Sequence, residues 1–118
     1  MRLGFVVLTY NRSDALLALL RGLAPQLSTE DLLVVADDGS RQEHLQALRA
    51  GVPACRAPVW HAWHPDTGFT ASKARNMGAR VAHEAGADYI VFLDGDCIPG
   101  SGFVRAHRAL ARPACGWH

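Results

Sequence analysis

Three apolar runs in this chain end the same way. LGFVVLTY (Leu3 to Tyr10) stops at Asn11, LLVVA (Leu32 to Ala36) at Asp37-Asp38-Gly39-Ser40, and YIVFL (Tyr89 to Leu93) at Asp94-Gly95-Asp96. Each run has the length and the β-branched or aromatic content of a strand buried on both faces. A fourth, weaker run from Val59 to Trp63 is hemmed by Pro53, Pro58 and Pro65, which fits a short edge strand.

Helical spacing fills the intervals. Ser13 is expected to cap a first helix, with Asp14 in its first turn, Leu16, Leu17, Leu19, Leu20 and Leu23 on its apolar side, and Pro25 as its stop. Ser40-Arg41-Gln42-Glu43 has the form of a capping box, opening a second helix that runs to about Ala50 and closes at Gly51. Thr70 or Ser72 caps a third through about Ala85, with Ala74, Met77, Gly78, Val81 and Ala85 on one face and Gly86 at its end. Ser101 to Ala111 reads as a last helix with Phe103, Val104, His107 and Leu110 inward. Strict alternation of strand and helix predicts an α/β fold: right-handed crossovers and a mostly parallel sheet with helices on both faces. Ligands of such sheets bind beyond the carboxyl ends of the strands, where all three polar clusters would gather.

The 118 residues suffice for a single domain, 1–118, with one core. A formal net charge of +1 gives no reason to expect a nucleic-acid partner or a polybasic membrane patch, and none is expected. No apolar run is long enough to span a bilayer. Cys55, Cys97 and Cys115 form an odd, scattered set that suggests reduced thiols and a cytoplasmic setting. Many alanines, and arginine used almost to the exclusion of lysine, suggest a bacterial source.

No glycine-rich turn of the form G-x-G-x-x-G follows the first strand, and no G-x-x-x-x-G-K-[ST] loop exists. Phosphates are therefore not cradled in either of those ways. A divalent cation held by carboxylates is the natural substitute, and Asp94 and Asp96 supply the one or two carboxylates that magnesium or manganese takes. The bland reading of Asp94-Gly95-Asp96, a turn, has to be weighed against the other clusters expected on the same edge. Cys55, His61 and His64 hint at zinc, but without a second ligand pair.

Four stretches together, VVLTYNR, VVADDGS, GFTASKARNMG and IVFLDGDCIP, resemble the family 2 glycosyltransferases. They stand in the family's order and approximate spacing across nearly the whole chain. The pairing of a G-F-x-x-x-x-A-R-N helix with D-G-D-C is also similar to a chondroitin-polymerase-like branch of bacterial polysaccharide biosynthesis. The resemblance implies a Rossmann-like GT-A fold and metal-dependent, inverting transfer of a sugar from a nucleotide diphosphate to a glycan or lipid-linked acceptor. It implies that Thr9 and Tyr10 floor the nucleotide pocket, flanked by Asn11 and Arg12. It gives Asp38 the N3–H of uracil, which favours a UDP-sugar as donor. Asp94 would meet the ribose or the metal, Asp96 the metal, a manganese or magnesium ion. Arg12, Lys73 and Arg75 would offset diphosphate charge.

A full catalytic domain of that family continues well past its metal motif and carries an acidic base there. No Asp or Glu follows Asp96 in this sequence. The expectation is thus the donor-binding part of a transferase, with no catalytic base of its own and a surface open to association where an acceptor-binding half would pack. Two rivals stay open on sequence alone: a non-catalytic nucleotide-binding remnant or subunit, and a phosphatase of the haloacid dehalogenase type, which also sets D-x-D after a strand but normally after the first one.

Overall fold

The computed structural model describes residues 2–37, 39, 41–51, 53–63, 71–95 and 99–111. Along the chain these form β1 (Leu3–Thr9), α1 (Ser13–Leu23), a 3-10 turn (Ala24–Gln26), β2 (Leu32–Asp37), α2 (Gln42–Gly51), β3 (Val59–Trp63), α3 (Ala71–Glu84), β4 (Tyr89–Asp94) and α4 (Phe103–Ala111). The four strands make one sheet in the order β3-β2-β1-β4, and every pairing is parallel. The chain steps outward from β1 to β2 to β3; α3 then leads back across the sheet to set β4 on the other side of β1. Strand order therefore reverses at β1, and the boundary between β1 and β4 is the switch point where parallel sheets open a crevice.

Alternation along the strands builds the layers. Phe5 and Val7 of β1, Leu33 and Val35 of β2, and Val91 and Leu93 of β4 turn to one face, where Leu16, Leu19, Leu20 and Leu23 of α1, Leu48 of α2 and Val104 of α4 cover them. Val6, Leu32, Val34 and Ala36 turn to the other face and meet Ala82 of α3. Each buried leucine of α1 contributes about 1.5–3 kcal/mol by leaving water, which makes that helix the main anchor of the first layer.

On the second face α3 lies chiefly over β1 and β2. Its buried line is Ala74, Gly78 and Ala82, four residues apart, with Val81 and Ala85 half-buried beside it. A Cβ at Gly78 would stand 2.5 Å from Val6 Cγ1 and 3.0 Å from Ala36 Cβ, so glycine there sets how close the helix comes to the sheet. The helix ends as predicted at Gly86, whose N–H bonds to the His83 carbonyl while that of Ala87 bonds to Ala82, both at 3.0 Å. α3 sits over the middle of the sheet; on the same face of β4, Ile90 still packs into the second layer, whereas Phe92 is 42% exposed.

Two local expectations are corrected. Ser13 does not cap α1: it is the first helical residue, Arg12 takes the cap position without a side-chain bond, and the Ser13 hydroxyl meets His44 Nδ1 of α2 at 3.1 Å. The cause is Asn11, whose φ of 50° turns the chain sharply enough for the helix to start at once. Leu110 does not face inward but is 58% exposed, because α4 packs on the first layer through Phe103 and Val104 while Leu110 falls on its open side. His107 does pack, edge-on to Phe103 with ring centroids 4.7 Å apart. Ser40 and Thr70, expected at helix starts, lie outside the described residues.

Candidate active site

The carboxyl ends of the strands bring the site residues together. Register aligns Thr9 with Asp37 and Leu8 with Asp94, so one side chain from each central strand reaches the same edge. A crevice of about 240 Å³ opens there, floored by Leu8, Thr9 and Ala36 and walled by Tyr10, Ala74, Arg75 and Asp94. A second recess of about 170 Å³ adjoins it, sharing Leu8, Thr9 and Tyr10 and adding Arg12 and Gly95. Small side chains at Ala36 and Ala74 keep the first recess open.

The polar groups around this crevice differ in how they are held. Thr9 is buried at the floor, and Tyr10 is 43% exposed above it. Asp94 is exposed and makes no hydrogen bond or ion pair among the described residues. Arg75, from the first turns of α3, likewise makes no ion pair there; its guanidinium lies over the Phe92 ring, 5.5 Å from the centroid. Arg12 approaches Asp14 at 3.9 Å, but the two side chains are 64% and 87% exposed, a surface pair too weak to fix either in place. A carboxylate and a guanidinium thus line one recess without neutralising each other, a state that suits a ligand carrying both a cation and an anion.

Gly95 fixes the loop after β4. A Cβ there would stand 2.5 Å from the Leu8 carbonyl oxygen, so only glycine lets the chain at position 95 lie against the end of β1. Asn11 does not line either recess. Its Oδ1 accepts the backbone N–H of Arg41 at 2.8 Å and ties the loop after β1 to the start of α2. Asp37 is fully buried with its Oδ2 3.0 Å from His61 Nε2 of β3, so this acid braces the strand end. Lys73 lines a separate recess on the outer flank of α3, with Met77 and Arg80, and is not brought to the crevice. Asp38, Asp96 and His64 lie outside the described residues.

Sequence reasoning passed over Phe92 and the Asp37–His61 pair, and read Gly95 only as part of a turn. The first had a signal: alternation along β4 puts Phe92 and Asp94 on one face. The pair had none, because it depends on the register between β2 and β3.

The comparisons agree with this fold. The glycosyl transferase family 2 model matches residues 5–111. The chain is 34% identical over 106 residues to a validoxylamine A glucosyltransferase of Streptomyces hygroscopicus subsp. jinggangensis, a match covering 88% of this chain and 24% of that protein. It is 32% identical over 108 residues to a hyaluronan synthase of Pasteurella multocida, covering 91% of this chain and 11% of the synthase. The chain thus spans about a quarter or less of these relatives. Among solved structures, S. aureus TarS 1–349 in complex with UDP superposes with a TM-score of 0.70 at 28% identity, over 92% of this chain and 31% of that one. The likeness extends to the GT-A-like parallel sheet expected from the sequence. A family model spanning 107 of 118 residues (5 through 111) leaves the phosphatase reading without support. The chain belongs to glycosyl transferase family 2.

Proposed function

We propose that residues 1–118 form the donor-binding part of a glycosyltransferase that takes a sugar from UDP with the help of a divalent cation. The observation that carries the reading is the crevice at the β1–β4 boundary, where Asp94 and Arg75 face one recess and, among the described residues, neither makes an ion pair. A nucleoside diphosphate bound through a cation uses both: the carboxylate takes the metal and the guanidinium takes phosphate oxygens. Asp94 fits a magnesium or manganese ion, which needs one or two carboxylates from the protein; Asp96 would be the second. When bound, that cation neutralises charge on the departing diphosphate. Thr9 and Tyr10 would hold the nucleoside, and Asp38 would accept the uracil N3–H, which distinguishes UDP from CDP. The TarS structure in complex with UDP supports a uridine nucleotide in a fold of this kind.

Transfer with inversion, to a glycan or lipid-linked acceptor, and action at the cytoplasmic side of the membrane complete the proposal. No helix among the described residues is long and apolar enough to cross a membrane.

Base choice tests the reading directly. Dissociation constants for UDP, CDP and GDP are measured for the chain and for Asp38→Asn. UDP should bind best, and the substitution should cost about tenfold or more, the worth of a hydrogen bond to a charged acceptor. Equal affinity for UDP and CDP, unchanged in Asp38→Asn, would overturn the role of Asp38 and the choice of UDP.

A further inference from the structure

We infer that Phe92 is a positioning residue: its ring holds the Arg75 guanidinium at the mouth of the crevice, free for the diphosphate and away from Asp94. The inference rests on the donor-binding reading and adds a residue to it. Phe92 and Asp94 are two apart on β4 and point to the same face, as their register with Val6 and Leu8 shows. Phe92 is 42% exposed on β4, the last strand of the described sheet, where burial alone gives a large aromatic little reason to stand. What occupies its face is Arg75, 5.5 Å from the ring centroid.

The chemistry of that contact favours phosphate binding. A guanidinium is weakly hydrated on its faces, so it stacks on a ring while its N–H groups, which lie in its plane, stay available. An arginine already held in one orientation loses less side-chain freedom when a phosphate arrives. The ring also competes with Asp94 for the same cation. Without it, Arg75 is free to fold onto the nearby carboxylate as an ion pair, which would spend the groups that a metal and a diphosphate need.

The test separates positioning from packing. UDP affinity with magnesium is measured by calorimetry for the chain, Phe92→Leu, Phe92→Tyr, Arg75→Ala and Phe92→Leu combined with Arg75→Ala. Thermal unfolding confirms that each variant is folded. Leucine keeps apolar bulk but has no ring face, so Phe92→Leu should weaken UDP about three- to tenfold, whereas Phe92→Tyr should stay within about twofold. In the Arg75→Ala background, Phe92→Leu should change affinity by less than about twofold. Unchanged affinity in Phe92→Leu, an equal loss with and without Arg75, or a tyrosine variant as weak as the leucine one would overturn the inference while leaving the donor reading intact. Failure of the unsubstituted chain to bind UDP would overturn both.

Discussion

Asn11 and Arg41, thirty residues apart, are joined by a 2.8 Å hydrogen bond from the Arg41 backbone N–H to the Asn11 side-chain oxygen. The bond links the loop after β1 to the loop after β2, and so links Tyr10 and Arg12 to the segment that carries Asp38. Asn11 also holds a φ of 50°, a conformation that asparagine tolerates far better than alanine. Asn11→Ala should therefore lose both the bond and the backbone preference, about 1–3 kcal/mol in urea unfolding. Asn11→Gly relieves the backbone but not the bond and should fall between the two. If Asn11→Ala unfolds at the same urea concentration as the parent chain, the link carries no energy.

Gly95 places a second constraint on the same edge. With Leu8 O only 2.5 Å from where a Cβ would stand, Gly95→Ala must push the loop after β4 off the end of β1. The expected outcome is a folded chain, destabilised by about 1–3 kcal/mol, whose UDP affinity falls further than its stability accounts for. Circular dichroism melts and calorimetric titration of the same samples read the two effects separately. Parent-like UDP affinity in Gly95→Ala would show that the loop's position does not matter to the ligand.

Away from the site, Asp31 is fully buried and its Oδ2 receives Arg108 Nη2 at 2.6 Å and the Ser28 N–H at 2.9 Å. Arg108 comes from α4, so this contact pins that helix to the turn before β2. The arginine is 38% exposed, which lowers the value of the pair relative to a wholly buried one. Arg108→Ala should cost about 1.5–3 kcal/mol by leaving the carboxylate one charged partner short. Arg108→Leu, which restores the packing of the stem but not the charge, should be no more stable. Recovery of parent stability in the leucine variant would assign the effect to packing alone.

The central strands were legible because their residues say one thing at every level: β-branched runs of strand length, each closed by a polar cluster. Parallel order followed from alternation with helices, and the switch point followed from parallel order. Ser13 was misread because the local rule for helix caps does not know that the chain reverses at Asn11 or that His44 lies within reach. Leu110 was misread because a helical period tells which residues share a face, not which face has a partner. The start of α4 shows the same limit: the Val104 N–H is accepted by Gln26 Oε1 at 3.1 Å, a side chain 78 positions earlier that no local pattern connects to it. At the site, Thr9, Tyr10 and Asp94 were readable at strand ends, Arg75 through the family resemblance, and Phe92 through alternation along β4, whereas the Asp37–His61 brace needed the sheet register.

The proposed metal dependence rests on Asp94, which makes no hydrogen bond or ion pair among the described residues. UDP should bind more tightly with manganese than with excess chelator, and Asp94→Asn should lose most of that difference while unfolding at nearly the parent temperature, since the side chain is exposed. An amide keeps the size but surrenders the charge that holds a hard cation. Equal UDP affinity with metal and with chelator would remove the cation from the account.

The most direct test of the whole account is where the nucleotide sits. UDP and magnesium are titrated into isotopically labelled chain while the backbone amide shifts are followed. Saturable changes are predicted at Thr9, Tyr10, Arg75, Asp94 and Gly95, around the crevice between β1 and β4. Amides on the outer flank of α3, such as Arg80 and Glu84, should stay in place. Absence of saturable shifts, or shifts gathered on that outer flank or on α4, would contradict it.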